Sequence, residues 1–445
     1  MNPMDLNRRQ LLLGGIYGSG MLGLRALATG LPIAFLVNPF SAEAQAACEM
    51  DPALAGQFLV LSTSSAGDPM NANTPGTYDH QAIQHSPLPT MVKTAMTLGG
   101  RATSAAKPWA DLPASLPASV QDHVSFFHHT TLTNNHGNQN KVMRLMGAIE
   151  RQEMLVSLYA KNLAGCLQTV QKEPVTIGAS GSGELLTYEN RILPKLSPRG
   201  LRDMLTTPTG ALKALQTIRD KDLNRLNALL KQSGNNVQRS YLDRLASTQV
   251  EARGISQSLL DLLSAITGDD ANNQAIAAAV LIKMKVAPVV SMRISFGGDN
   301  HSDGDLKNEA GAHVTGTATI AKLFDELDNL GLADKVTFAA MNVFGRTLDS
   351  GRGTTGRDHL AGHHCTVMIG KNIKSSLIGG LMPKGRDFAA MAIDSKTGAG
   401  VDGGDISFND TLGSVGKTLG TALRVPAAAL EEGINTGKVV TAALV

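Results

Sequence analysis

Short apolar runs that end in polar residues constrain the fold of this chain more than any other feature. Such runs cover residues 58–62, 124–127, 286–296 and 336–344. Small, polar or ionisable residues follow the first three at once, and a helical pattern closed by Gly331 separates the last two. Strands that alternate with helices favour an α/β domain with a largely parallel central sheet. In such sheets, sites gather beyond the carboxyl ends of the strands, where these polar residues would lie.

The middle of the chain carries a different pattern. Leucine and isoleucine recur there at helical spacing, at Leu212, Leu215, Ile218, Leu226, Leu229, Leu230, Leu242, Leu245, Leu259, Leu262, Leu263 and Ile266. This spacing is typical of amphipathic helices. We therefore predict a helical insertion or cap at about residues 198–267, within one domain that spans residues 47–445.

The first 46 residues have the pattern of a twin-arginine signal peptide. Arg8 and Arg9 precede a glycine-rich apolar stretch, and Ala44 and Ala46 offer cleavage sites of the A-x-A type. A membrane anchor is the alternative, but Arg25 and Pro32 interrupt the apolar stretch. We therefore expect the twin-arginine translocase to export the folded chain to the periplasm or the medium. A lipoprotein site at Cys48 is disfavoured, because Gln45 stands where a lipobox has a branched aliphatic residue.

Composition excludes some partners. The chain has 40 lysine and arginine residues against 38 aspartate and glutamate residues, so the sequence predicts no nucleic-acid partner and no polybasic membrane surface. Its 3 cysteines form no readable disulfide framework or cysteine zinc site, although a bridge between Cys166 and Cys365 stays open. Oligomeric state is not encoded in any pattern of this kind.

Aspartate and histidine cluster in the second half of the chain. They occur as Asp299-Asn300-His301, then as Arg357-Asp358-His359, and then as His363-His364. Carboxylate and imidazole groups are preferred ligands of zinc, manganese and iron, and ligands from two strand ends can converge on one ion. Capping residues and surface turns use the same residue types, so composition alone does not choose between these readings.

Two glycine-rich motifs are poor matches to known sites. Residues 351–356 fit G-x-G-x-x-G but do not lie directly between a strand and a helix, which disfavours a Rossmann site. Residues 178–182 resemble a nucleophile elbow, yet Ser182 replaces its last glycine. Both are better interpreted as loops.

The order of these features resembles the exported domain-of-unknown-function 1501 family (DUF1501), which is grouped with the alkaline phosphatase and sulfatase superfamily. The segments that carry the resemblance are Gly297-Gly298-Asp299-Asn300-His301, Phe344-Gly345-Arg346-Thr347, Gly356-Arg357-Asp358-His359 and Phe408-Asn409-Asp410-Thr411-Leu412. That family usually shows G-W-D-x-H, E-F-G-R-T and G-x-D-H in the first three places. This chain departs from it at Gly298 and Val343, where the family usually has tryptophan and glutamate.

The resemblance implies an alkaline phosphatase-like α/β sandwich that binds one or two divalent ions beside a phosphate or sulfate ester. Carried over by position, the implied metal ligands are Asp68, Asp299, His301, Asp358 and His359. The same comparison implies catalytic roles for Thr133 as nucleophile, His136 as ligand or acid, and Arg346 as a clamp for the anionic ester. Zinc or manganese is favoured by the mixed ligands, while calcium and magnesium stay open.

Two of these residues, Thr133 and Arg346, also have structural interpretations. Thr133 could instead cap the helix that follows it, and Arg346 could brace a loop through backbone carbonyls. The altered motifs leave two hypotheses for the whole chain. One is an exported metal-dependent ester hydrolase. The other is a catalytically degenerate binding or assembly protein on the same fold.

Overall fold

The structure is a computed structural model that describes residues 56–149, 153–169, 171–178, 186–189, 191–205, 211–236, 238–239, 242–243, 257–349 and 355–445. The predicted signal peptide lies outside the described residues, as do most of the motifs at 178–182 and 351–356. None of the helices in these ranges is long and apolar enough to cross a membrane.

A sheet of eight strands forms the centre of the described part. Numbered along the chain, its strands are β1 (Phe58–Ser64), β4 (Val124–His129), β5 (Val175–Ile177), β8 (Lys195–Leu196), β9 (Val289–Met292), β10 (Val336–Asn342), β13 (His364–Ile369) and β14 (Ser376–Ile378). They lie in the order β14-β4-β13-β10-β1-β9-β5-β8. Only the two pairings that involve β13 are antiparallel. The predicted α/β class with a largely parallel sheet is therefore confirmed.

Four two-stranded ribbons complete the strands of the described residues. They pair β2 (Lys93–Leu98) with β3 (Arg101–Ala106), β6 (Thr187–Tyr188) with β7 (Arg191–Ile192), β11 (Gly345–Arg346) with β12 (His359–Leu360), and β15 (Leu381–Lys384) with β16 (Asp387–Ala390). The β11–β12 ribbon pairs Arg346 with His359, two of the candidate site residues.

Helices cover both faces of the central sheet. They are α1 (Met70–Asn73), α2 (Lys107–Asp111), α3 (Gln139–Met143), α4 (Leu155–Leu167), α5 (Pro198–Leu205), α6 (Ala211–Ser233), α7 (Gln257–Ala265), α8 (Ala271–Lys283), α9 (Lys307–Asn329), α10 (Thr411–Ala422) and α11 (Ala427–Gly433). In β1, Phe58 and Val60 pack on the side of α8 and α9, whereas Leu59 and Leu61 pack on the side of α4 and α10. A strand buried on both faces has a continuous apolar sequence, and β1 could therefore be predicted from the sequence.

The helical middle of the chain joins the core only in part. Its described segments between residues 198 and 267 include α5, α6 and α7. Leu259 and Leu263 of α7 are buried in the core on the α8 side of the sheet. In contrast, Leu226 and Leu229 of α6 are 39% and 55% exposed.

The structure bears on three details that were predicted from the sequence. The run at 286–296 is a strand only over Val289–Met292, because the residues after it leave the sheet to form the loop that carries Asp299. Helix α9 ends as predicted, with Gly331 at a φ of 69° and the Leu332 amide donating to the Leu327 carbonyl at 2.8 Å. Cys365 is a free, buried thiol, so the bridge to Cys166 is not formed.

Candidate metal centre

Chain direction brings four loops to one edge of the sheet, because the loop after β10 is also the one that precedes β13. Strands β1, β4, β9 and β10 all run the same way, so the loops after their carboxyl ends meet there. Strand β13 runs the other way, and the segment that precedes it therefore reaches the same edge. These loops deliver the side chains of His136, Asp299, His301, Arg346 and His359. This edge is where α/β sheets usually place a site.

Three histidines at this edge are each fixed through the Nδ1 atom. Nδ1 of His136 lies 2.6 Å from the Ser65 carbonyl oxygen, and Nδ1 of His359 lies 2.6 Å from the Asn134 carbonyl oxygen. Nδ1 of His301 lies 3.1 Å from Oδ1 of Asp358. Carbonyl and carboxylate oxygens only accept, so each Nδ1 is the donor. A ring in its neutral form then keeps a lone pair on Nε2.

Those Nε2 atoms converge on one carboxylate. The Nε2 atoms of His301 and His359 lie 2.9 Å apart. Asp299 contributes Oδ1 at 3.1 Å from Nε2 of His301, and Oδ2 at 3.7 Å from Nε2 of His136. The potential ligand atoms of His136, Asp299 and His359 all lie within 4.8 Å of one another. Facing lone pairs repel unless a cation or an extra proton lies between them, so the cluster is built for positive charge.

Electrostatic interactions and burial favour the forms of Asp299 and His359 that can bind a cation. Burial opposes ionisation of Asp299, but the hydrogen bond and charge of Arg346, with smaller contributions from His301 and His136, outweigh it and lower the pKa of Asp299. Partial burial lowers the pKa of His359, and Arg346 adds to this, while the Asn134 carbonyl works in the opposite direction. An ionised carboxylate and a neutral imidazole are the forms that a metal requires.

The donor set fits a divalent transition metal. Imidazole nitrogen with one carboxylate oxygen suits zinc or manganese better than calcium, which prefers oxygen ligands alone. Histidine ligands in metalloproteins usually donate the second ring N–H to a carbonyl or carboxylate, which fixes the tautomer and the ring orientation. All three histidines here have such a partner, so His136, His301, His359 and Asp299 would hold the ion.

Arg346 lies beside this cluster, and its guanidinium is fully occupied. Nε donates to the Gly67 carbonyl at 2.5 Å, and Nη2 donates to the Ala66 carbonyl at 2.7 Å and to Oδ1 of Asp299 at 2.8 Å. Nη1 contacts Nε2 of His301 and the Arg357 carbonyl, both at 3.3 Å. Burial lowers the pKa of Arg346, against the pull of Asp299, Asp68 and Asp358. With these bonds the side chain acts as a brace for the loop after β1.

An aromatic ring forms the floor of the cluster. The Phe344 ring lies 4.3 Å from the His359 ring and 4.9 Å from the His136 ring, between centroids. The Arg346 guanidinium carbon stands 5.3 Å from the same centroid. Phe344 is fully buried, so it restricts the tilt of both imidazoles from below. Phe344 belongs to the F-G-R-T motif, but the sequence predicted no role for its ring.

Asp68 and Asp358 occupy outer positions. Asp68 is fully buried, and its Oδ1 accepts from the backbone amides of Phe296 and Gly298 at 2.8 and 2.7 Å. Its Oδ2 has no hydrogen-bond partner among the described residues. Asp358 reaches the cluster through Nδ1 of His301. In this arrangement, Asp68 supports the loop that carries Asp299, and Asp358 orients a histidine.

Thr133 takes a structural hydrogen-bonding position. Its Oγ1 accepts from the Asn135 amide at 3.3 Å and from Nδ2 of Asn138 at 2.7 Å. Its carbonyl accepts from the hydroxyl of Thr131 at 3.2 Å. The structure thus brings together His136, Asp299, His301, Arg346 and His359, and uses the Thr133 hydroxyl to shape the turn before His136.

Comparison with known proteins supports the family resemblance over part of the chain. Residues 190–396 match the model of a family described as "Protein of unknown function (DUF1501)". The matched segment contains Asp299, His301, Arg346, Asp358 and His359, whereas Asp68, Thr133 and His136 lie before it. No curated protein matches the chain.

Proposed function

We propose that this protein is an exported, metal-dependent hydrolase of phosphate or sulfate esters on an alkaline phosphatase-like fold. One observation carries the proposal: three imidazoles, each tied through Nδ1, turn Nε2 towards the Asp299 carboxylate. Facing Nε2 lone pairs repel one another, and the donor that Arg346 offers to Nε2 of His301 lies at 3.3 Å, which is a long contact. A bound cation resolves that arrangement.

The chemistry follows from what the site offers to an anionic ester. A divalent ion bound here supplies Lewis acidity towards an ester oxygen. His301 and Asp358 form a hydrogen-bonded pair at 3.1 Å, so the Asp358 carboxylate would hold the ring with Nε2 towards the ion. Arg346 adds a permanent positive charge beneath the cluster, although its donors are engaged with the protein. We assign it an electrostatic and bracing role at the reacting centre.

Export by the twin-arginine route is part of the same proposal. This route carries proteins that are already folded, and a metal site is a physical reason to fold before export. Cytoplasmic folding would let the cell choose the ion before periplasmic copper or zinc competes for the ligands. Zinc and manganese remain the favoured ions, and a small-molecule anionic ester remains the proposed substrate.

A second candidate function has its own supporting observation. The hydroxyl of Thr133 and the guanidinium of Arg346 are both committed to contacts within the protein. A chain that kept metal binding but lost its nucleophile and its anion clamp would serve as an exported binding or assembly protein.

Metal content of the exported protein tests the proposal. We expect about one or two divalent ions per chain by elemental analysis. Replacing His359 or His136 by alanine is expected to reduce that content sharply. His123 offers a matched control, because its Nδ1 also lies 2.6 Å from a carbonyl oxygen but at the opposite end of β4. His123→Ala should keep the metal. A wild-type protein without stoichiometric metal would eliminate the metal-dependent function.

Turnover of an ester panel separates the two candidate functions. The hydrolase proposal expects activity that Asp299→Asn and His359→Ala abolish while His123→Ala retains it. If the wild-type protein binds metal at full occupancy but turns over neither phosphate nor sulfate esters, the binding protein is the better description.

A further inference from the structure

We infer that Glu309 is a positioning residue that holds the separate ligand-bearing loops of the metal centre in register. The inference rests on the proposed metal site and names a residue outside it. Glu309 is a fully buried carboxylate in the first turn of α9. It belongs to none of the motifs that the sequence analysis identified.

Glu309 accepts four hydrogen bonds from three different segments. Its Oε2 accepts from Nδ2 of Asn300 at 2.7 Å and from Nε of Arg357 at 2.8 Å. Its Oε1 accepts from Nδ2 of Asn73 at 2.8 Å and from Nη2 of Arg357 at 3.1 Å. An ionised carboxylate has about four acceptor positions, so this side chain is fully used.

Each donor neighbours a residue of the metal centre. Asn300 stands between Asp299 and His301, and Arg357 directly precedes Asp358 and His359. Asn73 also donates to the Pro69 carbonyl, next to Asp68. The Arg357 carbonyl in turn accepts from Nη1 of Arg346. One buried carboxylate thus joins loops that are distant in sequence and that must meet to build the site.

Charge balance explains why the link is rigid. The Glu309 and Arg357 side chains are at most 1% exposed and form a two-point ion pair. Arg357 uses its remaining donors on the Thr347 and Gln84 carbonyls. Removing one member of such a pair leaves an uncompensated buried charge, which strongly destabilises a protein. The negative group also lies in the first turn of α9, where the helix dipole favours it.

The first turn of α9, which carries Glu309, is itself held in place. Asp303 accepts from the backbone amides of Asn308 and Glu309, at 3.1 and 2.8 Å. These bonds hold the first turn of α9 independently of the metal centre. A misplaced ligand lowers metal affinity even when every ligand is present, because outer partners typically contribute about 10- to 100-fold. Glu309 is therefore expected to act on affinity.

Two variants and two matched controls test the inference. Glu309→Gln replaces an acceptor by a donor, and Asn300→Ala removes one link while the ion pair stays intact. The controls are Asp270→Asn and Asn273→Ala, because Nδ2 of Asn273 donates to Oδ2 of Asp270 at 2.6 Å at the start of α8. Zn²⁺ affinity would be measured by competition with a chromophoric chelator, beside thermal unfolding of each metal-free protein.

We expect Zn²⁺ binding to weaken about tenfold or more in Glu309→Gln and Asn300→Ala, and to stay near the wild-type value in both controls. If Glu309→Gln does not fold, Asn300→Ala decides the outcome. Wild-type affinity in the folded variants, or an equal loss in the controls at equal loss of stability, would overturn the positioning role. So would a failure of both variants to fold. A wild-type protein that binds no Zn²⁺ would instead contradict the proposed function.

Discussion

Arg346 shows how a motif residue can be committed to contacts within the protein. Its guanidinium is fully buried and donates to the carbonyls of Ala66 and Gly67 and to Asp299. Arginine is suited to this task because its planar fork presents five donors in fixed directions. Among the described residues, this side chain links the loop after β1 to the loop after β9. The bracing interpretation therefore explains these contacts better than an ester clamp does.

Arg346→Lys is expected to lower the free energy of unfolding by about 2–4 kcal/mol, because lysine lacks the fork and leaves buried carbonyls without donors. Urea unfolding of the metal-free protein measures this. Arg386→Lys is the control, since Arg386 is exposed at the turn between β15 and β16. Unchanged stability with lost ester turnover would show that Arg346 acts on the substrate.

The loop after β1 is the element that most directly shapes the floor of the site. Gly67 has a φ of 66°, and a Cβ built on it would lie 2.0 Å from Cε2 of Phe344. A side chain at this position would therefore strain the backbone and displace the ring beneath His136 and His359. Loop conformation and ligand orientation are coupled through this one contact.

Gly67→Ala is accordingly expected to destabilise the protein by about 2–4 kcal/mol, through backbone strain and overpacking together. Gly100→Ala isolates the first contribution, because Gly100 has a φ of 81° with no atom within 4 Å of a built Cβ. That control should cost only about 1 kcal/mol. Thermal unfolding compares the two. Equal losses would mean that the contact with Phe344 carries no energetic weight.

At the scale of the whole molecule, buried histidines couple stability to pH. Five of the described histidines are fully buried: His128, His129, His313, His363 and His364. Burial lowers the pKa of His128 and of His129 to about 4, and that of His313 to about 3. Burial also holds the pKa values of His363 and His364 well below the ordinary value.

These groups are neutral in the folded chain, and the unfolded chain protonates them near pH 6.5. The unfolded state thus binds more protons between about pH 6.5 and pH 4, so stability falls as the pH falls through that window. Each histidine contributes a slope of about 1.4 kcal/mol per pH unit within it. Chemical unfolding of the metal-free protein at several pH values measures the slope. His129→Gln should reduce the slope by the contribution of about one proton. A stability that does not change with pH would contradict the assignment of the slope to the buried histidines.

Features that depend on residues close in sequence could be predicted from the sequence. The strands β1, β4 and β10 were predicted from apolar runs, because hydrophobic periodicity depends on near neighbours. The positions of Asp299 and His301 followed from the rule that polar residues after parallel strands collect at one edge, whereas that of His359 followed from the family resemblance. The histidines of the site donate to backbone carbonyls such as those of Ser65 and Asn134. Every residue has a backbone carbonyl, so residue types could not predict these partners.

By itself, the sequence determined the α/β class, the largely parallel sheet and the residue types at its carboxyl edge. Only the tertiary structure decided which atoms face one another. It turned three Nε2 atoms towards Asp299, committed Arg346 to loop carbonyls and placed Glu309 among three loops. The physical reason is that hydrophobic patterns act over a few residues, whereas the His136–Ser65, His359–Asn134 and Asn73–Glu309 contacts join residues 71, 225 and 236 positions apart.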